Sequence, residues 1–246
     1  MMTKEIGHEF MIQTRYENMK QSDQANKVIQ PALEAAYDEK SKIIDLPMPE
    51  EIPPITIDLM AVIELRTSVR EYQNMPISLL ELSYLLWCTQ GVKQVLGNKA
   101  TLRTVPSAGA RHAFETYLLI HNVEGVKPGL YRFLAMEHKL IEVNLAENIS
   151  EEIIKACLEQ SFIAKSAVTF LWTAQANRMT WRYGERGYRY LHLDAGHVCQ
   201  NLYLSAQVIG CGVCAIAAFD DEYMNAVIGL DGEEQFVVYV AALGKR

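Results

Sequence analysis

The chain has 246 residues, half of them hydrophobic, and carries 23 Lys and Arg against 30 Asp and Glu, a formal net charge of −7. That length suits one sizeable core, or one domain with an arm, and the acidic balance argues against a general attraction to nucleic acid or to an anionic membrane surface. Five cysteines, an odd number, fit a reduced cytoplasmic protein better than a disulfide framework.

Met1-Met2-Thr3-Lys4-Glu5 lacks the apolar run of a secretion signal, and no stretch is apolar for long enough to span a bilayer. The expected location is therefore the cytoplasm. Residues 1–57 read as an arm. Phe10, Ile12, Tyr16 and Met19 suggest one short amphipathic helix. The stretch from Pro31 to Pro54 holds five of the eight prolines, which remove donors and fix the backbone. It reads as an extended connection over a surface, its own or a neighbouring subunit's, and equally well as a loose tail.

The domain proper, residues 58–246, opens with Asp58 as N-cap of a helix carrying Leu59, Val62, Ile63 and Leu65 at helical spacing. The helix runs into Arg66-Thr67-Ser68-Val69-Arg70. Two guanidinium forks with a hydroxyl between them suit a phosphate, although an isolated pattern of this kind is more often a solvated turn. Ser78 with Glu81 three residues on makes a capping box for a helix through Leu86 that ends near Gln90-Gly91. Lys93 to Arg103 reads as a polar loop.

Thr104-Val105-Pro106-Ser107-Ala108-Gly109-Ala110-Arg111-His112 is a second candidate. Its small residues let backbone N–H groups approach a flat ligand; the plainer reading is a turn before the next element. Thr116–His121 is β-rich, and Gly129–Phe133 with Lys139–Val143 forms a hairpin turning at Glu137-His138. Ser150 caps a helix through Leu158, and Ala167–Trp172 is a buried strand. Arg178, Arg182, Arg186 and Arg189 follow at spacings of four, four and three. If helical they line one face. A solvated stripe is the ordinary reading, but the interleaved Trp181, Tyr183, Tyr188 and Tyr190 fit an anionic pocket or an interface.

Arg189 to Ile209 reads as one long helix. Leu191, Ala195, Val198, Leu202 and Ala206 form its stripe, and Leu193, Leu204 and Val208 leave little of the far side polar, so it is expected to be buried nearly all round. Gly210 and Gly212 should end it. His192 and His197 lie ~140° apart around such a helix and cannot readily chelate one ion. Cys211-x-x-Cys214 follows a helix and enters a strand, unlike a thioredoxin-type pair, and has no second pair to make a zinc site, so both read as buried thiols. A strand from Gly212 to Phe219, a helix from Asp221 to Ile228 and a strand from Gln235 to Leu243 close the chain, with Gly244-Lys245-Arg246 as a terminal basic pair.

Taken together, Arg66-x-Ser68-x-Arg70, Pro106–His112, Arg182–Tyr190 with Leu193–His197, and Gly210-x-Gly212 resemble the nitroreductase superfamily over residues 58–246, and within it the SagB-type branch. The resemblance implies an α+β fold, a mostly antiparallel central sheet flanked by helices, in an intertwined homodimer with FMN held between subunits. It implies FMN phosphate and ribityl contacts from Arg66 and Ser68, with Arg70 near the pyrimidine end of the ring supplying positive charge near N1. Pro106, Ser107, Ala108 and Gly109 would cover the ring from the partner chain. Gly210, Gly212, Ala215 and Ile216 would lie beside its face and N5, and Lys245 and Arg246 at the phosphate. Arg182 and Tyr183 would contact substrate or transfer a proton. The azoline oxidases of this branch carry Lys-Tyr at that pair, and an Arg is a poor base. The implied activity is ping-pong electron transfer from NAD(P)H to a small conjugated acceptor such as a nitroaromatic or a quinone. The alternatives are azoline dehydrogenation in a peptide and a non-catalytic flavin-binding subunit.

Overall fold

A computed structural model describes residues 5–54 and 56–246; residues 1–4, read above for a secretion signal, lie outside them. Among the described residues there are nine strands and seven α-helices. Seven strands make one sheet, in the order β1 (Ile43–Asp45), β6 (Lys139–Asn144), β5 (Gly129–Leu134), β4 (Phe114–Ile120), β7 (Val168–Gln175), β9 (Gln235–Lys245), β8 (Cys211–Ile216), every neighbouring pair antiparallel. The helices cover both faces. Because side chains alternate along a strand, Phe170 and Trp172 of β7 enter a core with Leu82 and Leu85 of α3 (Leu79–Gln90) and Leu191, Val198 and Leu202 of α6 (Gly187–Val208). Leu171 between them enters the opposite core, with Ile153 of α4 (Ile149–Ala156) and Met224 of α7 (Asp221–Ile228). β4 is buried along its whole length and β7 up to Ala174, which explains why both read as continuous apolar runs rather than alternating ones.

Several expectations are corrected. The stretch read as a polar loop is a hairpin, β2 (Val92–Leu96) and β3 (Ala100–Arg103), with Gly97 at φ 58° in its turn. Its strands are too short, and too rich in Lys and Gln, to announce themselves by period. The arginines at 178, 182, 186 and 189 do not share one helix: α5 (Ala176–Tyr183) is separated from α6 by Gly184, at φ 53° and ψ −148°. Arg178 is buried and Arg182 exposed. Gly212 does not end α6 but sits inside β8, while Gly210, at φ 68°, makes the turn between them. The helix expected from Ser150 is α4, whose N-cap position is Asn148, without a side-chain capping hydrogen bond. In α6, Leu193 is 59% exposed, so the far side is uncovered in a single chain.

Residues 5–54 are tied down along most of their length. α1 (Glu5–Gln13) and the turn after it meet the start of α6: Arg186 Nη1 donates to Thr14 O at 2.7 Å, and Tyr16 and Tyr190 hydroxyls lie 3.0 Å apart. Gln24 N donates to Trp181 O and Trp181 Nε1 to Val28 O. Arg178 Nε then donates to Ala32 O at 2.8 Å, Glu115 Oε1 accepts from Ala35 N at 2.7 Å, and Arg132 Nη2 donates to Ala35 O and Ala36 O. Beneath this strap Arg178 and Glu115 form an ion pair at 2.6 Å, both about 95% shielded from solvent. The strap ends as β1 on the sheet edge. A strand of three residues between prolines carries no legible period, because its partners are tertiary.

Candidate functional site

Two clusters of predicted residues form, one at each half of α6. The first is built on a close chain approach. Asp58 caps α2 (Leu59–Leu65), its carboxylate accepting from Met60 N at 2.9 Å, and the chain leaves the helix extended through residues 66–70. Ser68 pairs with Val213 of β8 in a parallel bridge, and Val69 N donates to Val213 O at 2.9 Å. Alternate residues of an extended chain share a side, which is the physical reason for the R-x-S-x-R spacing. Gly212 makes the approach possible: a Cβ there would stand 2.6 Å from Val69 Cβ. Gly244 does the same for Tyr72, whose hydroxyl lies 2.8 Å from Val69 O and 3.1 Å from Ala242 O. Burial holds the Tyr72 phenol well above its ordinary value.

Tyr203 of α6 closes this cluster. Its hydroxyl lies 3.0 Å from Ser68 Oγ and accepts from Ala215 N at 2.9 Å, and the Arg66 guanidinium stands 5.4 Å from its ring centroid. Arg70 lies against Cys214, whose thiol is raised by burial and pulled back by the guanidinium. Arg246 donates from Nη2 to Thr67 Oγ1 at 3.2 Å and from Nη1 to Gln207 Oε1 at 3.0 Å, and its N–H reaches Gly210 O. Among the described residues no carboxylate pairs with Arg66, Arg70 or Arg246. Lys245 differs: its Nζ is 2.5 Å from Glu81 Oε1 and 3.0 Å from Ile209 O, so the terminal basic pair is split between a neutralised cation and an available one. Ile216 is buried in the opposite core.

The second cluster is the loop 106–112 against α5 and α6. Asp194 is 5% exposed, and its carboxylate accepts from Ala108 N at 3.2 and 3.3 Å. Burial raises its pKa, while hydrogen bonds from Ser107 and Ala108 oppose the shift. Ser107 Oγ accepts from His112 N at 2.9 Å. Gly109, Ala110 and His112 all have positive φ, 56°, 53° and 43°, a concentration of strain that surrounding structure must enforce. Side-chain space at Gly109 is taken by the Tyr183 hydroxyl and by Arg182, whose Cδ and Nε would be 3.0 Å from a Cβ. Tyr183 packs edge-on to Tyr190 with centroids 4.8 Å apart. Pro106 is exposed at the loop's start. His112 is pushed down to about 3, first by burial and then by Arg103 and Arg111, so it is neutral at neutral pH.

The structure thus brings Arg66, Ser68, Arg70, Gly212, Ala215 and Arg246 together, and separately Ser107, Ala108, Gly109, Arg182 and Tyr183. Asp194 and Tyr203 mark the two clusters on α6. They are nine residues apart, ~14 Å of helix axis, so the predicted residues fall in two separate clusters. Tyr203 went unremarked in the sequence because a lone Tyr on a buried helix looks like core. Asp194 stood in the sequence within the Leu193–His197 stretch, without a role of its own. Among the described residues no group of three or more His, Cys, Asp or Glu is placed to hold a metal ion, and no helix is long and apolar enough to cross a membrane.

Comparison with known proteins bears on the family and the fold. The nitroreductase family model matches residues 63–245. A Methanocaldococcus jannaschii protein called a "putative nitroreductase" is 38% identical over 203 residues, 82% of this chain and 96% of that protein. The trifolitoxin-processing protein TfxB of Rhizobium leguminosarum is 26% identical over 162 residues, 64% of this chain and 43% of TfxB. A crystal structure of a "putative nitroreductase" from Anabaena variabilis superposes with a TM-score of 0.63 at 27% identity, over 76% of this chain and 38% of that one. The chain therefore spans about two fifths of TfxB and of the Anabaena protein, and nearly all of the Methanocaldococcus protein.

Proposed function

This chain belongs to the nitroreductase family, and from that premise we propose that it is an FMN-dependent oxidoreductase, a homodimer that passes electrons from NADH or NADPH to a small conjugated acceptor such as a quinone or nitroarene. The observation that carries the reading is the trio Arg66, Arg70 and Arg246. In a protein of net charge −7, three guanidiniums gathered around Ser68 without a carboxylate partner among the described residues call for an anion from outside the chain. A phosphate ester fits there, and the glycine at position 212 lets Val69 pack against β8, which seats the 66–70 segment that carries these groups.

FMN, when bound, supplies the two-electron chemistry. The residues of this chain hold and tune it. Arg66, Ser68 and Arg246 bind the phosphate and ribityl end, and Arg70 sets positive charge at the pyrimidine end. Lys245 takes part only as far as Glu81 releases it. Pro106 to Gly109 cover the ring from the partner subunit, so that both half-sites serve one cofactor. Arg182 and Tyr183, beside that loop, face the substrate; Tyr183 is the one of the two whose polar group can both donate and accept a hydrogen bond. The exposed apolar residues Leu59, Met60, Ile63 and Leu65 of α2 and Leu193 of α6 supply the surface a second copy would cover.

Purified protein reconstituted with FMN should be yellow after desalting, bleach with NADH or NADPH under argon, and recover its colour with a quinone or nitroarene. Protein that stays colourless after reconstitution would overturn the proposal. The resemblance to the SagB-type branch, with a relative named as a trifolitoxin-processing protein, favours a second reading, dehydrogenation of an azoline in a peptide. A mass loss of two hydrogens from such a substrate, with no bleaching by either nicotinamide, would select it.

A further inference from the structure

Tyr203 has no role in the reading so far beyond packing, yet the direction of its hydrogen bonds can be worked out atom by atom. The Ala215 backbone N–H, 2.9 Å away, can only donate, so the Tyr203 oxygen accepts there. The phenol has a single hydrogen, and among the described residues its remaining partner is Ser68 Oγ at 3.0 Å. With the Tyr203 side of the pair 9% exposed, the reverse arrangement, with Ser68 donating, would leave a buried phenol proton without an acceptor, which folded proteins avoid. The chain of donation therefore runs from the Ala215 amide to Tyr203 to Ser68. Ser68 has one hydrogen of its own to donate, and one of the two acceptor positions on its oxygen is taken by Tyr203.

We propose that Tyr203 is a positioning residue that fills one acceptor position of the exposed Ser68 hydroxyl and leaves its hydrogen free to donate, favouring a ligand group that can only accept, such as a phosphate oxygen. The inference rests on the reading of residues 66–70 as an FMN phosphate site and adds what sets its polarity. Arg66 reinforces the arrangement. Its guanidinium over the Tyr203 ring puts a cation beside the hydroxyl pair, so the accepting group is favoured when it is an anion. The same tyrosine ties Ser68 on the 66–70 segment to Ala215 on β8, so the donor is fixed relative to the sheet.

The test compares Tyr203→Phe, Ser68→Ala, Ser68→Thr and the double variant Tyr203→Phe/Ser68→Ala. Dissociation constants for FMN and riboflavin are read from flavin fluorescence, with melting temperatures recorded alongside. Tyr203→Phe keeps the ring and its contact with Arg66 but loses the hydroxyl. Its FMN Kd should rise about tenfold, the size of one charge-assisted hydrogen bond, while riboflavin, which has no phosphate, stays within about twofold. Ser68→Ala should lose a similar factor, the double variant no more than either single one, and Ser68→Thr should retain near wild-type affinity. Equal losses for FMN and riboflavin, additive losses in the double variant, or an unchanged FMN Kd in Tyr203→Phe would each overturn the inference. If Tyr203→Phe does not fold, Ser68→Ala against Ser68→Thr decides the donor role alone: equal affinity in those two overturns it. Wild-type protein that binds riboflavin and FMN equally well would remove the phosphate reading itself, a result separable from these because it needs no variant.

Discussion

Gly212→Ala should damage both the fold and the cofactor site, because one atom has nowhere to go. The added Cβ would lie 2.6, 2.7 and 2.8 Å from the Cβ, Cγ2 and Cγ1 of Val69, where carbon pairs settle at about 3.5–4.0 Å. Val69 is β-branched and its N–H is committed to Val213 O at 2.9 Å, so the strain cannot be relieved by a rotamer change alone. The 66–70 segment must move by about 1 Å. Overpacking of this kind costs roughly 1–3 kcal/mol, which at this chain length lowers Tm by roughly 2–12 °C. The same displacement carries Ser68 and its flanking arginines away from β8, so FMN affinity should fall at least tenfold, since hydrogen bonds weaken steeply with misplacement. Thermal unfolding by circular dichroism and FMN titration by fluorescence report the two effects. Val69→Ala in the same chain removes two of the three contacts and should recover part of both. A Gly212→Ala protein that melts within a degree of wild type and binds FMN equally would refute the account of how this segment is seated.

Two further changes probe the strap and the buried charges. Glu115→Ala strands Arg178, whose Nη1 already lacks a partner, and frees Ala35 N; it should cost about 3–5 kcal/mol and expose residues 28–37 to limited proteolysis. Glu115→Leu/Arg178→Met, which removes both charges, should be less destabilised than Glu115→Ala; the reverse order in denaturant midpoints would contradict the buried-pair argument. His112 is held down to about 3 by burial, then by Arg103 and Arg111, so between about 6.5 and 3 the unfolded chain binds a proton that the folded chain does not. Its contribution is complete above the unfolded value and is lost as pH falls, by up to ~1.4 kcal/mol per pH unit. His121 and His138 are also lowered by burial and steepen the total. His112→Asn, which tolerates the positive φ, should flatten the fall of Tm between pH 7 and 5; an unchanged slope would remove this group from the account.

How legible the fold was depended on whether a signal was local. Asp58, the Ser78–Glu81 capping box, the hairpin turning at His138 and the helix from Asp221 to Ile228 are all written in neighbouring residues, and the structure has them. The hairpin at residues 92–103 and strand β1 were missed because neither carries an apolar period; the hairpin strands pair only with each other, and β1 pairs with β6, about 100 residues away. The arginine run misled because spacing of three and four assumes one continuous helix, and Gly184 interrupts it. Within the site, Arg66-x-Ser68-x-Arg70 was readable as a group of residue types that suit a phosphate, but not as an extended segment, which depends on its bridge to β8. Tyr203 was not, since its meaning lies in two contacts made 12 and 135 residues away. Nor could any pattern reveal that Glu81 takes Lys245 and leaves Arg246, because that pairing joins residues 164 positions apart.

The central claim is that one cofactor is shared by two chains. It is tested most directly by co-expressing Arg66→Ala/Arg70→Ala, which destroys the half-site beside Tyr203, with Gly109→Val, which destroys the half-site beside Asp194. Differently tagged subunits allow the heterodimer to be isolated and its FMN counted. Each homodimer should bind none, and the heterodimer should bind one FMN per dimer, because the intact half of each chain meets the intact half of the other. A heterodimer without FMN, or a wild-type protein that binds FMN as a monomer, would contradict the account.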